Sequence, residues 1–369
     1  MGGVVMTKQS TTTEILEMLR ITAPGTRLRE GLDNVLRANT GGLIIVGDYD
    51  KVSALAEGGF FIDAPYSPAH LYELAKMDGA ILLSEDCNKI FRANCHLNPD
   101  PGTPSMETGI RHRTAEQTAR QTGELVISIS QRRRLITLYR GSYRYVLRDT
   151  TTLLNTATQA IEALEKYKNA LDEAFVRLSL EEFDDMVSLS DVVQVVQRAE
   201  MLKRVDKELT LYIAELGNEG RLVRMQAEEL MSNVDTDERM ALRDYLVFNT
   251  EESEMAQVDA ALEKLERLSS EDLLDGDRLA GILGYAGYND KERRNILLSR
   301  GYRMLHKIPR LPSSVIDNVV DTFHDLNQLT KASIDALDEV EGVGPARAQQ
   351  ISTGLDRLRT QTIMDSHWF

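Results

Sequence analysis

The distribution of proline and glycine constrains the fold of this chain more than any other feature. The nine prolines lie at positions 24, 65, 68, 99, 101, 104, 309, 312 and 345, so residues 105–308 contain none. Glycine is also absent from residues 142–216. Because proline and glycine most often interrupt helices, this central stretch can form very long helices.

The central stretch also carries a repeat of apolar residues whose spacing alternates between four and three. Its members are Ala160, Leu164, Tyr167, Leu171, Ala174 and Leu178, followed by Val192, Val195, Val196, Met201 and Leu202. This spacing is typical of a coiled-coil seam. It predicts an all-α spine over residues 149–296, whose seam packs either against a second copy or within an intramolecular bundle.

Residues 1–148 show a different pattern, with short apolar runs bounded by turn residues. The runs at 42–47, 80–83 and 125–130 predict buried strands, and 135–139 predicts a strand paired with the third of them. Residues 68–77 have the composition of a helix, with Pro68 near its first turn. An α/β domain with a mixed sheet is therefore expected here.

Charge is unevenly distributed along the chain. The net charge is −15, which argues against a protein that coats polyanions in general. Residues 111–148 nevertheless contain nine arginines against only two acidic residues, Glu116 and Glu124. That region is where an anionic ligand is expected.

Cysteine content and hydropathy bear on the compartment. Two cysteines, Cys87 and Cys95, cannot form a disulfide framework and are interpreted as free thiols in a reducing compartment. No apolar run has the length of a membrane span, and the first residues lack the pattern of a signal peptide. A cytoplasmic protein without a membrane partner is expected.

Two motifs about thirty residues apart point to nucleotide chemistry. Asp78-Gly79-Ala80 leads into an apolar strand, and a carboxylate beside glycine suits a divalent cation and a closely approaching ligand. The segment 109–114, Gly-Ile-Arg-His-Arg-Thr, opens a helical run over residues 115–122. Guanidinium groups and free N–H groups at a helix start suit a polyphosphate. The chain has neither a P-loop signature nor the protein-kinase motifs.

The last part of the chain, residues 297–369, carries a third motif. Gly342-Val343-Gly344 separates two helical runs, and Pro345 stands at the first turn of the second. Such a turn allows a DNA phosphate to approach the main chain and the helix N-terminus, as in a helix-hairpin-helix motif. Gly342, Val343, Gly344 and Arg347 are the candidate DNA-binding residues, and residues from 308 onward form a weaker candidate for a second hairpin.

With these motifs, the chain resembles the DNA integrity scanning diadenylate cyclases of bacteria along nearly its whole length. The resemblance includes residues 23–26, 39–44, 78–80 and 111–116, the helical spine and the C-terminal hairpin. It implies three domains: a cyclase domain over 1–148, a spine over 149–296 and a helix-hairpin-helix domain over 297–369. One departure is Ile110, where the family commonly carries threonine.

The resemblance also implies a reaction and its site. Two ATP molecules condense into cyclic di-AMP with release of two pyrophosphates, and Mg²⁺ or Mn²⁺ is the cofactor. Asp78 is the implied catalytic residue and metal ligand, and Leu97 meets adenine through its main chain. The remaining implied ATP-binding residues are Gly79, Ile110, Arg111, His112, Arg113, Thr114 and Ser130.

The implied assembly is a homo-octamer built from cyclase dimers that face each other, with hairpin domains that bind DNA, preferably branched. The resemblance also implies that the protein is associated with the nucleoid at times. Two other functions remain open from the residues. One is a DNA-binding repair or recombination scaffold that senses ATP without catalysis. The other, a nuclease or ligase-like enzyme, is disfavoured because the chain shows no carboxylate cluster and no lysine-centred adenylation motif.

Overall fold

The computed structural model describes residues 8–250, 252–287 and 296–365. Contacts between residues divide the chain into two compact units. The first contains residues 1–159 and 208–225, and the second contains residues 160–207 and 226–369. The division into three domains at residues 148 and 296 stays a prediction. Within the described ranges, no helix is long and apolar enough to cross a membrane.

The first unit is built on a mixed sheet. Its strands are β1 (Gly42–Val46), β2 (Ala56–Glu57), β3 (Phe60–Pro65), β4 (Ala80–Leu83), β5 (Lys89–Leu97), β6 (Leu125–Ser130), β7 (Leu135–Arg140) and β8 (Tyr143–Val146). They follow the order β2-β5-β4-β1-β6-β7-β8, with β3 also paired to β5. β1 and β4 are parallel, whereas the other pairs are antiparallel. The predicted mixed sheet is confirmed, including the pairing of β6 with β7.

Helices cover both faces of this sheet. They are α1 (Lys8–Ile21), α2 (Arg27–Arg37), α3 (Tyr49–Ser53), α4 (Pro68–Leu74) and α5 (Ile110–Thr122). On one face, Leu28, Leu32 and Val35 of α2 pack with alternate strand residues such as Ile44 and Ile127. The other face packs against α5, and its buried residues include Leu43, Ile45, Val126, Ala115 and Ala119. The alternation of side chains along each strand assigns its residues to the two layers.

Two helix boundaries differ from the sequence-based expectation. α4 ends at Leu74, because the N–H groups of Lys76 and Met77 turn back to carbonyls three residues earlier rather than four. α5 begins at Ile110, five residues before the expected start, with Gly109 as its N-cap. The arginine motif is therefore the first turn of the helix and does not precede it.

Two long helices, α6 (Thr150–Phe183) and α7 (Leu189–Leu216), form the predicted spine. In the second unit, the seam residues Leu164, Leu171, Ala174 and Leu178 are all buried within the single chain. The interpretation of this seam as a surface for another copy is therefore wrong, since its side chains already have partners in their own chain. The intramolecular bundle is the arrangement observed.

The rest of the chain is helical in the described ranges. The elements are α8 (Arg221–Met231), α9 (Val234–Tyr245), α10 (Glu254–Arg267), α11 (Gly276–Ile282), α12 (Tyr302–His306), α13 (Ser313–Phe323), α14 (Leu326–Lys331), α15 (Ile334–Asp338) and α16 (Pro345–Asp365), with short 3₁₀ turns at Gly217–Gly220 and Asp272–Leu274. An α/β domain followed by an all-α region is the fold class expected from the sequence, and it is confirmed.

The C-terminal helices repeat one geometry with an offset of 32 residues. α12 and α15 begin at residues 302 and 334, and α13 and α16 begin at 313 and 345. The turns also match, because Arg310 (φ 62°) and Gly342 (φ 80°) both adopt the left-handed conformation. The weaker candidate for a second hairpin therefore has the same backbone plan, although Arg310 and Pro312 stand where the other turn has glycine.

A buried ion pair attaches α12 to the rest of the second unit. The Arg303 guanidinium, 1% exposed, is paired with Glu182 near the end of α6 and also donates to Ser179 Oγ at 2.9 Å. Tyr245 Oη donates to the same Glu182 carboxylate at 2.7 Å. Asp244 accepts the backbone N–H groups of Tyr302 and Arg303 and so caps the N-terminus of α12.

Candidate functional site

The register of the central strands brings Asp78 and Gly79 together with residues of three other strands at one edge of the sheet, at the N-terminal ends of β1 and β4. Leu43 pairs with Ala80, so Gly42 of β1 lies beside Gly79, which directly precedes β4. Ala80 also pairs with Cys95, which places Leu97 at the same edge. Gly42 pairs with Ile129, which brings Ser130 there from the other side. Residues far apart in sequence thus converge beside Asp78.

Asp78 and Gly79 form the turn that enters β4. The Asp78 side chain is exposed, and it has no ion pair or hydrogen bond to any residue that the structure describes. Gly79 has φ +94°, and a Cβ there would lie 2.8 Å from backbone atoms of Asn94 and Cys95. Only glycine fits this position, because any side chain would collide with β5. From the sequence, this glycine is interpreted as making room for a ligand. In the structure, close packing against β5 is sufficient to require glycine here.

The first turn of α5 presents free backbone donors. Gly109 is an N-cap without a side chain, so the N–H groups of Ile110, Arg111 and His112 have no intrahelical acceptor. The Ile110 side chain is 85% exposed, which leaves the space beside these donors open. Helix N-termini carry a partial positive charge, so this turn favours an anion.

The two arginines of this turn reinforce its positive character. Arg111 lies against the backbone of Gly41, where a Cβ would be 2.0 Å from its Nη1 atom. Arg113 donates from Nε to the backbone carbonyl of Glu107 at 3.3 Å. Within the ranges that the structure covers, neither guanidinium forms an ion pair with a carboxylate. Two uncompensated cations beside free N–H groups make a strong site for phosphate oxygens.

His112 is held by a chain of hydrogen bonds that the sequence did not indicate. Its Nδ1 atom lies 3.0 Å from Tyr139 Oη, and Tyr139 donates to Glu107 Oε1 at 2.9 Å. Arg144 Nε donates to the same oxygen at 2.6 Å. Since the Tyr139 hydrogen points to Glu107, its oxygen accepts from His112, which assigns the proton of neutral His112 to Nδ1.

The pKa shifts of the groups in this series of hydrogen bonds agree with a neutral His112. Burial lowers the pKa of His112 below 6.5, although the nearby Glu107 carboxylate opposes this shift. Burial disfavours the charge on Glu107, but hydrogen bonds from Arg144 and Tyr139 outweigh it and lower the pKa of that carboxyl. The Nε2 atom of His112 therefore carries a lone pair near neutral pH and can accept a hydrogen bond.

The loop before α5 is anchored to the helix itself. Glu116, which is 6% exposed, accepts from Ser105 Oγ at 2.7 Å and from the Met106 N–H at 3.0 Å. Gln117 Nε2 donates to the Thr103 carbonyl at 2.8 Å. These bonds fix the segment that carries Glu107, so the acceptor for Tyr139 is held by the same helix that presents His112.

The remaining predicted ATP-binding residues lie at the edges of this site. Leu97 ends β5 and is only 6% exposed. Ser130 ends β6, and its Oγ accepts the Arg133 N–H at 3.3 Å across the following turn. Thr114 lies half-buried in the second turn of α5. The assignment of these residues to ATP stays a prediction.

The described side chains do not form a complete cation site by themselves. Among the described residues, no group of three or more His, Cys, Asp or Glu side chains is arranged to hold a metal. Magnesium is commonly bound by one or two carboxylates and completed by substrate phosphates and water. The free carboxylate of Asp78, which no cation of the described chain neutralises, is compatible with that mode.

The C-terminal hairpin residues have distinct environments. Gly344 has no atom within 4 Å of its Cβ position, so its surroundings are open. Arg347 Nη1 donates to the Gly342 carbonyl at 2.6 Å and stabilises the turn. Val343 is 6% exposed and packs in the local core. The assignment of these residues to DNA stays a prediction.

Comparison with known proteins gives the class of this protein. A family model described as DisA bacterial checkpoint controller nucleotide-binding matches residues 29–143, which contain the whole convergent edge. A second model, described as the DisA bacterial checkpoint controller linker region, matches residues 147–292 and thus the spine. The fold and the site therefore define a nucleotide-binding protein of the bacterial checkpoint-controller class.

Relatives that match almost the full length make the family specific. Proteins named DNA integrity scanning protein DisA are 52% identical in Carboxydothermus hydrogenoformans, 50% in Acetivibrio thermocellus and 48% in Clostridium tetani. The alignment with the Carboxydothermus hydrogenoformans protein covers 94% of this chain and 97% of that relative. Each of the other two alignments covers 96% of this chain and 96% of the relative. The chain belongs to the DisA family, and the resemblance seen in the sequence is confirmed.

Proposed function

We propose that this chain is a diadenylate cyclase that condenses two ATP molecules into cyclic di-AMP. In each half of the reaction, the ribose 3′-oxygen of one ATP attacks the α-phosphorus of the other. A 3′–5′ phosphodiester bond forms, the α–β anhydride bond breaks, and pyrophosphate leaves. The proton of the 3′-hydroxyl is released, so two ATP give one cyclic product and two pyrophosphates.

The convergence at the sheet edge is the observation that carries this proposal. An unpaired carboxylate, Asp78, shares that edge with the open helix turn of Arg111 and Arg113. Phosphoryl transfer requires in-line positioning and neutralisation of the phosphate charge rather than covalent participation of the protein. The free N–H groups of Ile110, Arg111 and His112 and the two guanidiniums supply that neutralisation.

Asp78 would hold Mg²⁺ or Mn²⁺ together with the phosphates, and the bound cation would lower the charge on the reacting phosphate. Residues of the chain do the remaining work. Arg111, braced against Gly41, and Arg113 hold the triphosphate. Leu97 contacts adenine through its main chain, Ser130 and Thr114 contact phosphate oxygens, and neutral His112 accepts a hydrogen bond through Nε2.

The described part of the chain contains one such edge, so in this proposal each chain binds one ATP and holds half of the reactants. We infer that two cyclase units face each other to bring two ATP molecules together, and that the assembly is a homo-octamer. Because the seam of α6 is buried in its own chain, other surfaces must form the contacts between copies. The exposed apolar residues Met106 and Ile110, close to the site, are suited to a facing copy.

The C-terminal hairpin supports a role in sensing DNA. The open turn at Gly344 and the N-terminus of α16 leave main-chain donors accessible to a phosphate of the DNA backbone. Residues 299–369 contain eight Lys or Arg against nine Asp or Glu, so binding would be modest and salt-sensitive. Branched DNA bound there would lower the cyclase rate.

The test of the catalytic assignment is Asp78→Asn in the full-length chain, assayed with ATP and Mn²⁺ by mass spectrometry. We expect the rate of cyclic di-AMP synthesis to fall by on the order of 1,000-fold, because a metal ligand at the reacting centre contributes several kcal/mol. Glu73→Gln is the matched control, since Glu73 is an exposed acid paired with the neighbouring Lys76. Equal rates in wild type and Asp78→Asn would remove Asp78 from the mechanism.

A further inference from the structure

The first unit contains a second arginine-lined groove, separate from the site at the sheet edge. Its volume is about 450 Å³, within the range of small-molecule sites. Four arginines line it: Arg29, Arg37, Arg134 and Arg148. Its apolar wall includes Ile136 and Leu147, which belong to the core beneath α2. Helix α5 covers the opposite face of the sheet, although Leu135 of the groove pairs with Ser130, a residue of the candidate ATP site.

The charges in this groove are only partly balanced. Arg29 is bonded to Asp33 through Nε at 2.9 Å, and the Asp149 carboxylate accepts the Thr152 N–H at 3.1 Å. Arg148 stacks over the Tyr212 ring. In the part of the chain described by the structure, Arg37 and Arg134 have no carboxylate partner. Two guanidinium forks at the rim are therefore free to bind an anion.

Arg134 also occupies an unfavourable backbone position. It has φ +52° in the turn between β6 and β7, where its N–H closes the turn on the Ser130 carbonyl at 2.8 Å. Glycine or asparagine adopts this conformation at lower cost than arginine. A long cation kept at a position that suits glycine indicates that the side chain serves a purpose beyond the turn.

We propose that this groove binds a small phosphate-bearing molecule, with Arg37 and Arg134 as its principal phosphate contacts. Guanidinium groups match phosphate oxygens in pairs, and the walls formed by Leu36 and Leu147 can contact an organic group. The phosphate can come from free pyrophosphate or from a nucleotide. The groove is independent of the proposed cyclase reaction, because none of its lining residues belongs to the candidate ATP site.

The experiment measures binding affinity by isothermal titration calorimetry. The full-length chain is titrated with inorganic pyrophosphate and, in parallel, with adenosine monophosphate. All proteins carry Arg111→Ala, which weakens phosphate binding at the sheet edge. The test variants are Arg37→Gln and Arg134→Gly, singly and together. Arg134→Gly relieves the turn, so it removes the cation without harming the fold. Arg132→Gln, in the same turn but outside the groove, is the matched control.

We expect the parent protein to bind at least one of the two probes and the double variant to bind it at least about tenfold more weakly, with Arg132→Gln unchanged. Stronger binding of adenosine monophosphate than pyrophosphate would identify a nucleotide, and the reverse a free polyphosphate. The proposal is overturned by absence of binding in the parent at millimolar probe, by wild-type affinity in the double variant, or by an equal loss in Arg132→Gln. Because no synthesis is measured, these outcomes do not depend on cyclase activity.

Discussion

His112 lies among cations, and its hydrogen bonds determine how it can act. The Tyr139 hydroxyl accepts a hydrogen bond from His112 Nδ1 and donates one to Glu107, so the histidine offers a lone pair at Nε2. A protonated His112 would instead present a donor and add a third positive charge beside Arg111 and Arg113. The rate of synthesis should therefore depend on which of these forms is present.

We predict that the rate of synthesis falls at acidic pH, as His112 becomes protonated. The pKa of His112 is lowered below 6.5, so the neutral form predominates above that value and is lost only at more acidic pH. The measurement is a pH–rate profile, with His70→Gln as the control for an exposed histidine outside the site. A profile that rises towards acid pH would show that the protonated form is the active one.

Tyr139→Phe should remove the hydroxyl that accepts the hydrogen bond from His112 Nδ1. We expect a decrease of about 1–2 kcal/mol in the free energy of unfolding, because Glu107 and His112 each lose a partly buried partner. Nitrogen-15 NMR of the His112 ring should then show a mixture of Nδ1–H and Nε2–H tautomers in place of one. Retention of a single Nδ1–H tautomer in Tyr139→Phe would mean that another group orients the ring.

At the scale of elements, the buried pair of Arg303 and Glu182 holds the first C-terminal helix in place. We predict that Arg303→Ala lowers the free energy of unfolding by about 3–5 kcal/mol, because it leaves Glu182 buried without its cation. Arg267→Ala is the control, since its pair with Glu263 is exposed and should contribute at most about 1 kcal/mol. Urea unfolding followed by circular dichroism measures both. Equal costs for the two variants would contradict the role of the buried pair.

The elements also show how far sequence reasoning reaches. Buried strands such as β1 and β6 were predictable, because continuous apolar runs bounded by turn residues have few alternatives. The start of α5 was missed because Gly109, which lacks a capping side chain, gives no sequence signal for an N-cap. Strand β5 was missed as well, since Arg92 and Asn94 interrupt its apolar pattern.

The same limit applies to the candidate site. Asp78 and the arginine turn were recognisable, because their chemistry is contained in short contiguous motifs. The link between His112 and Tyr139 joins residues 27 positions apart on a helix and a strand, and only the fold brings them together. The groove containing Arg37 and Arg134 was hidden for the same reason, because local charge counts do not reveal which arginines lack carboxylate partners.

At the scale of the whole molecule, DNA sensing is best tested without removing a domain. Deletion from about residue 300 onward would remove Arg303 and leave Glu182 and Asp244 buried without their partners. Gly344→Leu avoids this problem, because the space around its Cβ is open. We predict that it weakens binding of branched DNA by about tenfold or more, since the side chain blocks the approach of a phosphate.

Thr360→Leu is the control for this variant, because it adds a similar apolar group at an exposed position far along α16 from the turn. Fluorescence anisotropy with a labelled four-way junction measures the affinity, and the cyclase rate is followed with and without the same DNA. Inhibition by DNA should persist in Thr360→Leu and be lost in Gly344→Leu. Full inhibition in Gly344→Leu would assign the DNA sensor to another surface.

The central claim is that this molecule joins two ATP molecules into a ring, and the stoichiometry of its products tests it most directly. Full-length protein is incubated with ATP and Mn²⁺, and every adenine-containing product and pyrophosphate is quantified by mass spectrometry and an enzymatic assay. We predict one cyclic di-AMP and two pyrophosphates for each two ATP consumed. Release of ADP and inorganic phosphate, or binding of ATP without any product, would contradict the assignment.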